Sequence, residues 1–152
     1  MSDDEVENNF YIEYTNNNCI YTRFDGFNKQ LEKLPETTIK LILSLSNFNK
    51  ELTNLPLNLE YLEIICFSYN QPLDCLPSNL KTLIINSREY NQPLDNLPSS
   101  LETLTFTRFS KFQQPLKCLP DNLKNLSLYT YYSKKNELKL QYPQLNITYI
   151  DW

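Results

Sequence analysis

The chain of 152 residues has no histidine and no alanine, one glycine (Gly26) and one valine (Val6). Without histidine there is no imidazole base and no imidazole ligand for a metal. A single glycine cannot build a glycine-rich phosphate loop. The four cysteines, Cys19, Cys66, Cys75 and Cys118, form no CxxC pair, so the short-spaced thiolate sites of zinc are absent. No apolar run reaches the ~18 residues of a membrane-spanning helix. The opening MSDDEVENN lacks the basic and apolar regions of a secretory signal, and an intracellular, cytoplasmic protein is expected. The net charge is −4 and no basic stripe is present, which argues against a nucleic-acid partner. No cofactor and no metal are expected.

Leucine dominates the apolar residues, and it recurs in register. The stretch YNQPLDCLPSNLKTLII begins at Tyr69, and YNQPLDNLPSSLETLTF begins at Tyr90. Three drifted copies open FNKQLEKLP at Phe27, FNKELTNLP at Phe48 and FQQPLKCLP at Phe112. Pro35, Pro56, Pro77, Pro98 and Pro120 mark the period, each after a leucine. A period of this length is the mark of a solenoid.

The end of each copy alternates apolar and polar residues, which is strand periodicity. Leu62 and Ile64, Leu83 and Ile85, Leu104 and Phe106, and Leu126 and Leu128 are the inward residues. Such a short strand buries its apolar face only by pairing in parallel with the next copy. In the first copy the pattern weakens to Thr38, Leu41 and Leu43, and Ile39 is expected to replace Thr38 in the core by a local shift. The prolines break any helix, so the convex side is expected to be extended or 3₁₀, with no helix in the chain.

The expected fold is therefore a mostly β, leucine-rich-repeat-like solenoid. Residues 1–9 read as an acidic tail, 10–26 as a capping β-hairpin around the NNN turn, 27–128 as five repeats and 129–152 as a C-terminal cap. The cap is expected to end in an atypical strand, Leu145–Ile150, with Tyr131, Tyr132 or Trp152 folded over the open core. Cys75 and Cys118 fall in one column two strand spacings apart, about 9–10 Å, too far for a disulfide. All four cysteines are read as free thiols.

The unit [FY]NxPLxxLPxxLxxLxI resembles the FNIP repeat, and its LPSSLETLTF half resembles the short leucine-rich repeats of bacterial effectors. FNIP repeats are typical of proteins from social amoebae and amoeba-infecting giant viruses. The resemblance covers 27–128 and implies no catalytic residues. It implies a viral or amoebal source, and for a viral protein a host protein as partner. Viral members often carry an F-box before the repeats, but the 26 residues before Phe27 are too few for one. An adaptor role in ubiquitin transfer rests on analogy alone.

Three sets of residues compete as sites. Asp74 and Asp95 stack about one strand spacing apart. They read as solvated carboxylates, because a calcium site wants six or more oxygens. Asn28, Asn49, Asn70 and Asn91, continued by Gln113, recur between core residues, where a polar side chain must be satisfied. They are read as backbone-bonding amides, and the second column, Asn58, Asn79 and Asn122, likewise. The outward strand positions differ from copy to copy, and function is expected there. Ile42, Tyr61, Glu63, Ile65, Ile84, Asn86, Thr105 and Tyr129 form a weakly charged, mixed surface suited to a protein partner. Phe67, Arg88 and Phe109, just after the strands, would form its rim. The expected function is a non-catalytic protein-interaction scaffold. The alternative is a self-assembling homo-oligomer, with a homodimer through the last strand.

Overall fold

The structure, a computed structural model, describes residues 11–15, 17–23, 28–31, 33–45 and 47–151. The expected acidic tail at 1–9 and Trp152 lie outside the described residues, as does the side chain of Cys19.

The two β-prone runs at the start form an antiparallel hairpin, β1 (Tyr11–Thr15) and β2 (Asn18–Arg23). Its two-residue loop places Asn17 at a φ of 66°, a left-handed conformation that asparagine tolerates. β2 then pairs in parallel with β3 (Lys40–Leu45), so the hairpin joins the sheet itself. β4 (Tyr61–Ile65), β5 (Thr82–Asn86), β6 (Thr103–Phe106) and β7 (Asn125–Tyr129) follow, each parallel to the last. A short helix, α1 (Lys135–Gln141), precedes the last strand, β8 (Asn146–Ile150). The sheet runs β1 to β8 in chain order. This is a parallel β-solenoid of the leucine-rich-repeat type with an N-terminal hairpin and a terminal strand.

The repeat register is the strand register. Leu41, Leu62, Leu83, Leu104 and Leu126 pair in succession and are fully buried. Leu43, Ile64, Ile85, Phe106 and Leu128 form the second inward column. The opposite wall supplies an aromatic stack. Phe48, Tyr69, Tyr90, Phe112 and Tyr132 lie nearly parallel with ring centroids 6.0, 6.1, 6.3 and 6.0 Å apart. Between the walls, each repeat proline opens a β-turn. Leu59, Leu80, Leu101 and Leu123 donate their N–H groups to Pro56, Pro77, Pro98 and Pro120 at 3.0–3.1 Å. The turn points each of those leucines into the core.

The phenols of Tyr69 and Tyr90 are buried without a hydrogen-bond partner among the described residues. Burial drives both well above the ordinary tyrosine range, so they stay neutral. The rings fill volume, as Phe48 and Phe112 do in the same column.

Three expectations are corrected. Ile39 does not replace Thr38: Thr38 is 2% exposed and Ile39 39%. The Thr38 N–H closes the same turn onto Pro35 at 3.0 Å, so the register holds and the core accepts a threonine. The chain does contain a helix. KNELKLQ has neither proline nor glycine and is rich in helix-forming residues. Its Leu138 is buried, and Tyr142 beyond its end donates to the Lys117 carbonyl at 2.7 Å. Tyr131 does not cover the core end, being 69% exposed, whereas Tyr132 is buried as the last ring of the stack.

Candidate functional site

The polar columns resolve into scaffold. The Asn28 side-chain oxygen accepts the N–H of Asn49 at 2.9 Å, Asn49 that of Asn70, and Asn70 that of Asn91, both at 2.9 Å. Asn91 accepts from Gln113 at 2.8 Å, and Gln113 from Ser133 at 2.9 Å. Each amide thus satisfies the backbone of the following turn. In the second column, Asn58, Asn79 and Asn122 donate to the carbonyls of Glu36, Leu57 and Ser99 at 3.1, 3.0 and 2.8 Å. Ser100 holds that place in the fourth copy and donates to the Leu80 carbonyl. Asp74 accepts from Asn96 at 3.1 Å. Among the described residues no cluster of three or more His, Cys, Asp or Glu side chains could hold a metal ion. Cys66 is a buried free thiol, and Cys75 and Cys118 are exposed free thiols. Among the described residues no helix is long and apolar enough to cross a membrane.

The outward strand residues lie in rows fixed by the pairing. One row runs Lys40, Tyr61, Thr82, Thr103, Asn125 and Asn146, and the next Ile42, Glu63, Ile84, Thr105, Ser127 and Thr148. Ser44, Ile65 and Asn86 form the third, with Tyr129 beside Ile150 at the far end. The eight residues singled out from the sequence, Ile42, Tyr61, Glu63, Ile65, Ile84, Asn86, Thr105 and Tyr129, therefore share one face. All eight are half-buried, since neighbouring strands stand close.

One polar cluster interrupts the apolar part of this face. The Tyr61 hydroxyl donates to Glu63 at 2.7 Å, and the Lys40 ammonium lies 4.6 Å from the Tyr61 ring centre. Partial burial, reinforced by the Glu63 carboxylate, pushes the Tyr61 phenol up to about 12. Ile42, Ile65 and Ile84 surround this cluster with apolar surface. Across the sheet, Thr107 donates to Asn86 at 2.7 Å.

Each end of the strands carries a further row. Before the strands stand Glu60, Lys81, Glu102 and Lys124, with Lys81–Glu60 at 2.9 Å and Lys124–Glu102 at 2.7 Å. The hydrogen bond from Lys124, with its charge and that of Lys81, holds the Glu102 carboxyl below the usual range. The alternation of sign at the repeat spacing is the sequence signal that marks this row. After the strands, the bends and turns that follow β4, β5, β6 and β7 carry Phe67, Arg88, Phe109 and Tyr131. Their exposed rings and guanidinium make a rim along the face. Tyr131, expected as a core cover, belongs to this rim and meets Tyr129 edge-on at 5.2 Å.

Residues 69–109 match the family described as FNIP Repeat. The matched segment carries the FNIP repeats and is the pair of nearly identical copies. A solved structure described as "The crystal structure of CroV588 a novel circular LRR protein structure" is similar, with 22% identity and a TM-score of 0.44. The match covers 83% of this chain and 26% of that one, so the chain spans about a quarter of that protein. No curated protein matches the chain.

Proposed function

We propose that this FNIP-repeat solenoid is a non-catalytic scaffold that binds a protein partner on the outward face of its sheet. Ile42, Tyr61, Glu63, Ile65, Ile84, Asn86, Thr105 and Tyr129 are the contact set. One observation carries the reading. The buried columns and the asparagine ladder repeat from turn to turn, whereas the outward rows change at nearly every step. Fold requirements explain the first group and leave the second free to be fitted to a ligand. Isoleucines around a tyrosine, with few charges, give such a face the composition of an interface core.

The test is affinity capture from a lysate of the source cell or its host. Ile84→Lys with Thr105→Glu places opposite charges on adjacent strands, the new lysine standing between Glu63 and the new glutamate, which the sheet tolerates. The double variant is expected to melt like the wild type and to lose the captured protein. Leu57→Glu, on the exposed convex side, is expected to keep it. Equal capture by the face variant would remove the proposal.

Self-assembly is the second reading, favoured by β8. Among the described residues it pairs only with β7, its five residues carry no charge, and inward Ile147 and Tyr149 are only half-buried. Uncharged edges invite pairing with a second copy. The mass in solution without a partner separates the readings: one chain for a scaffold, two or more for an assembly.

A further inference from the structure

The rim after the strands concentrates what the rest of the surface lacks. Among the described residues, six large hydrophobic side chains are exposed, and Phe67 (61%), Phe109 (40%) and Tyr131 (69%) all lie in the turns just after the strands. The sequence has only three arginines, Arg23, Arg88 and Arg108. Arg23 ends β2, Arg88 lies two residues beyond β5, and Arg108 lies two beyond β6, so all three stand at the same end of the sheet. The Arg108 guanidinium lies 5.0 Å from the Phe109 ring centre. Arg88 and Lys111 share a single carboxylate, Glu89, at 3.8 and 3.5 Å, and all three side chains are more than half exposed. Arg88, Arg108 and Lys111 against Glu89 leave a local balance of +2 on a chain whose net charge is −4.

We infer that this rim is a docking site for an acidic segment of a protein partner, one in which carboxylates are flanked by apolar or aromatic side chains. The guanidinium fork of Arg88 suits a carboxylate, and long contacts to a shared Glu89 leave its donors available. The strands that lead into these turns stand about one spacing, ~4.8 Å, apart. An extended peptide crossing the strand ends would meet ring, guanidinium, ring and ring in turn. Exposed aromatics beside arginine are the residue types that dominate binding energy at protein interfaces. A nucleic acid is disfavoured. It needs a track of cations along its phosphates, whereas here a glutamate sits among three cations and the adjoining face carries Glu63.

The inference rests on the scaffold reading only in taking the partner to be a protein, and its site is a separate set of turns. The probe is a short fluorescein-labelled peptide with two glutamates flanked by phenylalanine and leucine, followed by anisotropy on the full chain. Its control is the same peptide with glutamines, and labelled oligothymidylate is the competing ligand. The acidic peptide is expected to bind, and the glutamine version to bind about tenfold more weakly. Arg88→Glu with Arg108→Glu should abolish binding, and Phe67→Ala with Tyr131→Ala should weaken it. Lys33→Glu with Lys139→Glu, the same charge change elsewhere, should leave it intact. Melting curves accompany each variant, with Arg88→Gln replacing any arginine variant that fails to fold. No binding of the acidic peptide, or equal binding by the arginine variants, would overturn the site. So would oligothymidylate binding that the arginine variants lose while peptide binding is absent. If the rim fails these tests while Ile84→Lys with Thr105→Glu still loses its captured protein, the sheet-face reading stands alone.

Discussion

Leu83→Ala is expected to destabilise the fold by about 2–5 kcal/mol. Leu83 is fully buried, paired between Leu62 and Leu104 in the middle of the parallel sheet. Truncation removes its transfer free energy and leaves a cavity. The cavity cannot close, because the leucines on either side are held at strand spacing by the backbone ladder. A solenoid adds a second effect: each turn is stabilised mainly by its neighbours, so weakening the central turn weakens the coupling of both halves. Urea titration should show a lower midpoint, and a broadened or two-step transition would mark the two halves parting. Leu57→Ala is the control. Leu57 is 69% exposed, and its loss should change stability by no more than about 0.5 kcal/mol. If the two variants melt alike, the inward column is misassigned.

Asn49→Leu should cost about 1–3 kcal/mol. The Asn49 side-chain oxygen accepts from the Asn70 N–H at 2.9 Å and from the Gln71 amide at 3.1 Å. Leucine has a similar shape but no acceptor, so two donors in a partly buried position lose their partner at once. Asn49→Asp keeps an acceptor oxygen and should cost clearly less. Asn28→Leu removes a rung where the chain is more exposed and water can replace the bond, so it should cost less than Asn49→Leu. Thermal melts of the three variants check the ranking. Equal, small losses would mean that the ladder accompanies the fold without supporting it.

Much of this fold was legible because a repeat makes one pattern speak several times. The strand positions, their parallel pairing and the inward leucines follow from period and alternation alone. The asparagine column was legible for a related reason: a polar residue recurring between core residues has to be satisfied locally. Legibility fades where a residue occurs once. At Thr38 the turn onto Pro35 outweighed the hydrophobicity of Ile39, because slipping the register by one would have turned every following side chain to the wrong face. The helix at Lys135–Gln141 lies in the last turn, between Tyr132 and Pro143, where local propensity and the anchor Leu138 replaced the extended convex wall. Tyr131 and Tyr132 are adjacent and chemically identical. Only the continuation of the aromatic stack decides that Tyr132 faces in and Tyr131 out. The eight face residues could be placed from sequence because strand alternation fixes the side of the sheet. Their bonds to one another, such as Tyr61 to Glu63, depend on rotamers that no periodicity specifies.

The measurement that bears most directly on the sheet-face reading is hydroxyl-radical footprinting of the chain with and without its captured partner. Side-chain oxidation reports surface that the partner covers, and the two sides of this solenoid carry reactive residues far apart. The account predicts protection at Tyr61, Ile84 and Tyr129 on the outward face, with oxidation unchanged at exposed Leu57 and Leu140. Protection at Leu57 or Leu140 with the face residues unaltered would contradict it.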